Sequence, residues 1–349
     1  MGRRIITLRE LIGIIKDKAS LSKAALLSTA PIRLAVLRAT SHSPPAAPDD
    51  RHVSALLLSG EASRSAASPI IAALMLRLHR TGNSIVALKC LLVFHHILRR
   101  GPFILQDQLS IFPAYGGRNH LNLSDFRDTA AWHLSSWVRW YARFLETLLS
   151  TSRTLGYFLC SSSSSSLKEN HERRISSLLN LDLIKELDSL SLLIEEICRA
   201  PDNLTVEGGV IVKEITALFL DDYISAVNEL LLRLSELNER VSSLSFGDSI
   251  EVICGLKRLQ NCKERLSDLY SVEKPSIEMM WGLVQDLKDR IETLNKEGGK
   301  FLTWRTRESG TESARFEQRL LMGVDSMKFQ SGRFSVNGFS DFLALDKSI

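Results

Sequence analysis

Ile32-Arg33-Leu34-Ala35-Val36-Leu37-Arg38-Ala39-Thr40 runs into Ser41-His42-Ser43-Pro44-Pro45-Ala46-Ala47-Pro48 and leaves through Asp49-Asp50-Arg51-His52. The first stretch has a helical pattern, and the run from Ser43 to Pro48 must end it. Proline lacks a backbone donor and biases its predecessor away from helical geometry. A loop is therefore forced between two helices. Arg38 stands before the bend, and Arg51 and His52 stand after it, so basic groups flank it on both sides.

Outward from that bend the pattern repeats. Toward the N-terminus, Ile5, Leu8, Leu11, Ile12 and Ile15 share one helical face, with Arg4, Arg9, Glu10, Lys16 and Asp17 mostly elsewhere. This predicts an amphipathic helix, read first as packing against the next helix and second as a wedge among lipid headgroups. Toward the C-terminus, helices are predicted at about 52 to 59, 66 to 80 and 84 to 99, separated by Gly82-Asn83 and Gly101-Pro102. Phe103 to Leu109 follows, then the irregular Phe112 to Gly117. A helix crowded with Trp132, Trp137, Trp140, Tyr141 and Phe144 runs to about Ser150 and should be heavily buried.

The six serines from Ser161 to Ser166 read as a loop, since they offer little apolar surface and compete with the helical backbone through their hydroxyls. Longer helices are predicted at about 172 to 199, 207 to 243, 248 to 271 and 276 to 297. Pro201 and Pro275 fall in the breaks, and Asp248 serves as an N-cap. From Gly298-Gly299 to Ile349 the periodicity fades into Ser, Gly, Arg and isolated Phe. That pattern predicts a flexible tail with at most one short helix from Ala314 to Met322.

The composition limits the function. A chain of 349 residues, 44% hydrophobic and 24% charged, is that of a folded soluble protein. Forty-four basic against 40 acidic residues, net +4, is too even for a generic nucleic-acid binder, so any positive site must be local. Cys90, Cys160, Cys198, Cys254 and Cys262 are odd in number and scattered, which predicts reduced core thiols and a cytosolic setting. No apolar run approaches the roughly 18 residues of a membrane span, and Ile6 stands where N-myristoylation prefers a hydroxyl residue. Asn122-Leu123-Ser124 and Asn203-Leu204-Thr205 fit the glycosylation pattern, which carries little weight without a secretory signal.

No enzyme-like constellation competes with the bend. His95-His96 are consecutive on a helix, about 100 degrees apart, so they cannot form an i, i+4 metal pair; one should be core and the other surface. Cys254 and Cys262 lack zinc-ligand spacing, and Gly116-Gly117-Arg118-Asn119 is not a phosphate loop. Glu195-Glu196 and Asp221-Asp222 read as solvated helix faces. No catalytic residue, metal site or cofactor is expected.

With the helices placed, the chain resembles plant clathrin-assembly proteins carrying the ANTH domain, a relative of the epsin-type domain, over residues 1 to about 297. The resemblance rests on Asp17 to Ala24 (DKASLSKA), Val36 to His42 (VLRATSH), Pro48 to His52 (PDDRH), Phe103 to Leu109 (FILQDQL), Ser135 to Tyr141 (SSWVRWY) and Cys262 to Leu266 (CKERL), in that order and spacing. It implies an all-α fold, a right-handed superhelical α-solenoid of the ENTH/ANTH/VHS type with longer C-terminal hairpins. The expected division is an ENTH-like superhelix over 1–159, a Ser-rich loop over 160–171, long helices over 172–297 and a flexible tail over 298–349.

The same resemblance implies an endocytic adaptor without catalysis. Its partners would be phosphatidylinositol 4,5-bisphosphate membranes and clathrin heavy chain, with adaptor complexes and SNARE proteins as further partners and no nucleic acid. Its location would be cytoplasmic, peripheral on plasma-membrane coated pits, coated vesicles and the Golgi. The family's lipid motif reads Lys-Ala-Thr, a spacer, then Pro-Lys-x-Lys-His. Arg38 matches the first lysine, Arg51 the last and His52 the histidine, while the middle lysine is Asp49. A guanidinium forks onto two phosphate oxygens, and a histidine beside a dianion gains a second donor. Asp49 and Asp50 work against the site. Exchanging one lysine for aspartate is expected either to weaken headgroup binding by roughly 2 kcal/mol, at about 1 kcal/mol per basic residue, or to change which phosphoinositide is preferred, with Lys23 and Arg33 as supporting cations. The alternative is a helical scaffold for SNARE or adaptor binding with little lipid affinity because of Asp49. For clathrin, Phe342, Leu343, Leu345 and Asp346 form an imperfect box in the tail. Leu178-Leu179-Asn180-Leu181-Asp182 matches the box fully but is expected in the core, on a helical stripe with Ile184 and Leu187.

Overall fold

A computed structural model describes residues 8–26, 31–44, 46–111, 120–159, 168–201, 209–269 and 275–308, and among them the regular structure is helical throughout. Six helices precede residue 112: α1 (Leu8–Leu26), α2 (Pro31–Ala39), α3 (Asp50–Ser59), α4 (Arg64–Arg80), α5 (Ser84–Arg100) and α6 (Phe103–Ile111). The long Trp-bearing helix α7 (Trp132–Leu155) and the short α8 (Lys168–Ser176) follow. The remainder is α9 (Asn180–Cys198), α10 (Gly209–Glu239), a 3-10 turn at Val241–Ser243, α11 (Phe246–Leu269) and α12 (Pro275–Glu308). The chain divides at Leu294 into a large compact unit and a second beginning at Asn295, of which the structure describes the continuation of α12.

Within the large unit each helix packs on its neighbours in a row: α2 on α1, α3 and α4, then α4 on α5 and α6, α5 on α7, α7 on α9, and α9 on α10 and α11. This is an all-α solenoid. Helix α5 is its axis. Residues 84, 86–95, 97 and 98 are buried, because neighbours cover the helix on nearly every side. Its ends are set by Asn83, whose side chain accepts from the Val86 N–H, and by Gly101. In α7, Trp137, Trp140, Tyr141 and Phe144 are buried as expected, and the Trp140 indole donates to Glu196 O at 2.8 Å. Trp132, at the first position of the helix, is instead 78% exposed.

Several boundaries differ from the sequence reading. The expected helix at 172 to 199 is two helices, with Leu179 in extended geometry between them. The cause is Arg240, which donates to Ser176 O at 2.6 Å and Leu178 O at 2.7 Å, satisfying two backbone carbonyls that helix would otherwise use, and to the side-chain Oδ1 of Asn180 at 3.2 Å. Asp248 is not the N-cap of α11. Ser245 precedes the helix, accepts from the Asp248 N–H at 3.1 Å and donates its own N–H to the Asp248 carboxylate at 3.2 Å, a reciprocal capping box. Helix α12 continues through Gly298-Gly299 to Glu308, since two glycines cost only about 1 kcal/mol each in a helix whose other residues favour it. Of the Ser-rich loop expected over 160–171, residues 168–171 belong instead to α8, while the six serines and the short helix expected from Ala314 to Met322 lie outside the described residues.

Candidate functional site

The bend is fixed from beneath. In Arg38-Ala39-Thr40 the middle and last residues are buried while Arg38, in the last turn of α2, is exposed. Thr40 Oγ1 donates to Val36 O at 2.6 Å, and Arg77 from α4 reaches Thr40 O at 3.1 Å. Lys89 on α5, only 2% exposed, donates from Nζ to Ser41 O and Pro44 O, each at 2.8 Å. Burial lowers its ammonium to about 8, with the charge of Asp17 opposing. Asp17 on α1 completes the base. It accepts from the His42 N–H at 2.7 Å, and His42 Nδ1 and Arg77 Nη2 lie 2.9 and 3.1 Å from its Oδ1. Burial pushes the Asp17 carboxyl up, but His42 and then Arg77 outweigh it and hold it below the ordinary carboxylate range. A Cβ on Gly13 would meet the His42 ring at 2.9 Å, so only glycine allows α1 to seat this closely.

On this base, Arg38 ends α2, and Arg51 and His52 open α3, which packs directly on α2. Arg38 and Arg51 are exposed and His52 is half-buried, and none of the three side chains makes a hydrogen bond or ion pair among the described residues. Arg33 is also exposed, in the first turn of α2, whereas the side chain of Lys23 lies outside the described residues.

The two aspartates are both engaged. Asp49 is the N-cap of α3, and its carboxylate accepts the Arg51 N–H at 2.9 Å. Aspartate is among the strongest N-caps, and the helix dipole favours its charge there. Asp50 pairs with Arg100 at the end of α5, and that hydrogen bond and charge hold its carboxyl below the usual range. Burial, then the charge of Arg100, pushes nearby His96 down to about 4, so it is neutral near pH 7. The sequence reading takes Asp49 only as the missing lysine and passes over its capping role, although an aspartate beside the start of a helix signals one. Arg100 carries no such signal, because nothing local in the sequence joins it to Asp50.

Elsewhere the sequence reading is corrected at several places, among them Glu196, which is not solvated but 5% exposed and paired with Arg143 and Arg199. The outer face of α1 carries Leu11, Ile12 and Ile15, all exposed, with Ile15 at 64%. The helix seats its Gly13 and Asp17 edge on the bend and turns its apolar stripe away, so packing against the next helix does not account for the stripe. Leu178 is half-buried and Leu181 exposed, while Leu179 is 72% exposed. The full match to the clathrin box is therefore not core, yet Arg240 pins it and α9 begins inside it. Asp222 is no solvated residue: it is fully buried and accepts from His95 Nε2 at 2.6 Å, while His95 Nδ1 meets Tyr141 Oη at 2.7 Å. His95 is thus the core member of its pair and His96 is half-buried. Cys254 is exposed, whereas Cys90 and Cys262 are buried thiols. The tail residues Phe342, Leu343, Leu345 and Asp346 lie outside the described residues.

Among the described residues no helix is long and apolar enough to cross a membrane, and no group of three or more His, Cys, Asp or Glu is placed to hold a metal ion. A model described as "ANTH domain" matches residues 32–276. The chain belongs to the ANTH family. ANTH-domain assembly proteins are non-enzymatic, and the chain is not an enzyme. It is similar to three proteins of Arabidopsis thaliana. The "Putative clathrin assembly protein At4g40080" is 49% identical, over 96% of each chain. The proteins of the same printed name at At5g10410 and At5g65370 are 34% and 31% identical, over 82% and 81% of this chain and 87% and 99% of their own. The ANTH match begins at Ile32 and so takes in the whole bend.

Proposed function

We propose that this ANTH protein is a peripheral endocytic adaptor. It docks on the phosphatidylinositol 4,5-bisphosphate of the inner leaflet through Arg38, Arg51 and His52, and promotes clathrin coat assembly through its tail, residues 298 to 349. The observation that carries the reading is the contrast at the bend: its buried side chains are bonded, while the two arginines above them are exposed and unpaired among the described residues. A guanidinium left without a carboxylate and held on a rigid base suits a phosphate fork. Asp49 weighs less against the site than its charge suggests, because its carboxylate is bonded to the helix it caps. That favours lipid binding over a lipid-independent scaffold.

The exposed stripe Leu11, Ile12 and Ile15, with exposed Lys16 and Lys18 beside it, gives α1 the character of an interfacial helix. The names of the relatives support the clathrin assignment. On this reading the protein works on coated pits and vesicles of the plasma membrane and on the Golgi, with adaptor complexes and SNARE proteins as further partners.

Co-sedimentation with vesicles containing phosphatidylinositol 4,5-bisphosphate tests the lipid half. Arg38→Ala with Arg51→Ala should reduce retention about tenfold or more, at about 1 kcal/mol per basic residue, and unchanged retention removes the site. Deleting residues 339 to 349 should abolish a clathrin pulldown. A pulldown that survives the deletion removes the tail assignment.

A further inference from the structure

We infer that Arg100, at the end of α5, is a further headgroup-contacting cation of this site, and that Asp50 sets the affinity by competing for it. The inference rests on the phosphoinositide reading above. Asp50 and Arg51 are consecutive in the first turn of α3, about 100 degrees apart around the helix. The core side of that helix is Val53, Leu56 and Leu57. Arg100 comes from a neighbouring helix to pair with Asp50, which brings its guanidinium next to the turn that carries Arg51. The family's cation is missing at Asp49, and Arg100 supplies one from a different part of the fold.

The pair is built to be displaced. The Arg100 and Asp50 side chains are 38% and 70% exposed, and ion pairs this open contribute little to folding. Asp50 takes a hydrogen bond from Nη2, and among the described residues the other donors of the guanidinium have no partner. A phosphate dianion offers a stronger, two-oxygen acceptor than one carboxylate oxygen. His96, the other basic group beside Asp50, is uncharged near pH 7, so Arg100 alone supplies the added positive charge there. Arg100 also sits in the last turn of α5, where a cation complements the helix dipole. That role alone would make Asp50 irrelevant to lipid binding.

The test uses the full chain with phosphatidylcholine vesicles carrying phosphatidylinositol 4,5-bisphosphate, and in parallel soluble inositol 1,4,5-trisphosphate by calorimetry. Arg100→Gln should weaken vesicle binding about fivefold, and Arg100→Lys should retain most of it. Asp50→Asn should tighten binding about threefold by releasing Arg100, and should have no such effect when Arg100→Gln is already present. An equal gain in both backgrounds overturns the inference, since Asp50 would then act only as a repelling charge. Matching changes with the soluble trisphosphate support direct headgroup contact, and changes confined to vesicles overturn it in favour of general surface attraction. If Arg38→Ala with Arg51→Ala abolishes binding while Arg100→Gln binds like the wild type, only this inference fails. If the double variant binds normally, the underlying site fails first.

Discussion

Two buried cations in this ANTH protein do opposite work. Arg233 on α10 has a fully buried side chain and is held by carboxylates: Glu186 Oε2 lies 2.5 Å and Glu229 Oε2 2.7 Å from its guanidinium. Tyr157 and His171 bond the same Glu229, and Arg174 pairs with Glu186 while lying over the Tyr157 ring. Lys89 is nearly as deep, yet it holds two backbone carbonyls of the bend and no carboxylate within bonding distance among the described residues. Burial pulls Arg233 down, but Tyr157, then Glu229 and Glu186, outweigh it and hold Arg233 above the ordinary arginine range, whereas burial lowers Lys89 to about 8. Where charge is cancelled inside, it ties helices together. Where it is spent on carbonyls, it shapes a loop, and the two exposed arginines beside that loop have no carboxylate partner among the described residues.

The comparison breaks most visibly at Arg233. Arg233→Met removes the main charge partner of the buried Glu186 and the half-buried Glu229 and should cost about 3–5 kcal/mol, read by denaturant unfolding, with part recovered when Glu186→Gln is added. Vesicle binding by the fraction that remains folded should be unchanged. Lys89→Met should cost less, about 2 kcal/mol, from two carbonyls left unsatisfied. It should nevertheless weaken vesicle binding while touching no headgroup, and Lys89→Arg should restore part of both. A Lys89→Met protein that binds normally would show that the bend holds its shape without the anchor.

Asp49 sharpens the same contrast at smaller scale. Asp49→Lys restores the family's cation and removes the α3 cap, so the two readouts should move in opposite directions. Affinity for phosphoinositide vesicles should rise by roughly 2 kcal/mol, while thermal stability should fall by about 1 kcal/mol. If both fall together, the cap matters to the site as well as to the helix.

The helices were legible wherever the signal is local. Ser43 to Pro48 had to be a loop and the apolar pattern at about 84 to 99 had to be a helix, while the place of that helix at the axis of the core came from the fold. What was not legible depends on partners distant in sequence. The break at Leu179 is made by Arg240, the burial of Asp222 by His95, and the neutralisation of Asp50 by Arg100. The stripe on α1 misled for a related reason. Amphipathicity tells which residues share a face but not which way the face turns, and here Asp17 and Gly13 decide it. Of the candidate site, the sequence supplied the three residues above the bend, while the base formed by Asp17, Arg77 and Lys89 required the fold.

The finest test of the comparison is pH. Lys89 binds its proton less tightly in the folded chain, with a pKa of about 8 against the ordinary lysine value of 10.5. Between those values the unfolded chain holds the proton that the folded chain has released, so stability rises with pH across the window. From pH 7.5 to pH 9 the gain from this one group is about 1 kcal/mol. A neutral amine still donates to Ser41 O and Pro44 O, so the bend keeps its anchor while losing a buried charge. The difference in unfolding free energy between the wild type and Lys89→Met should therefore widen from pH 7.5 to 9. Arg233 stays protonated throughout, so the difference between the wild type and Arg233→Met should stay flat. A flat Lys89 difference would mean that the ammonium is better solvated than its burial implies, and the contrast between the two cations would then rest on geometry alone.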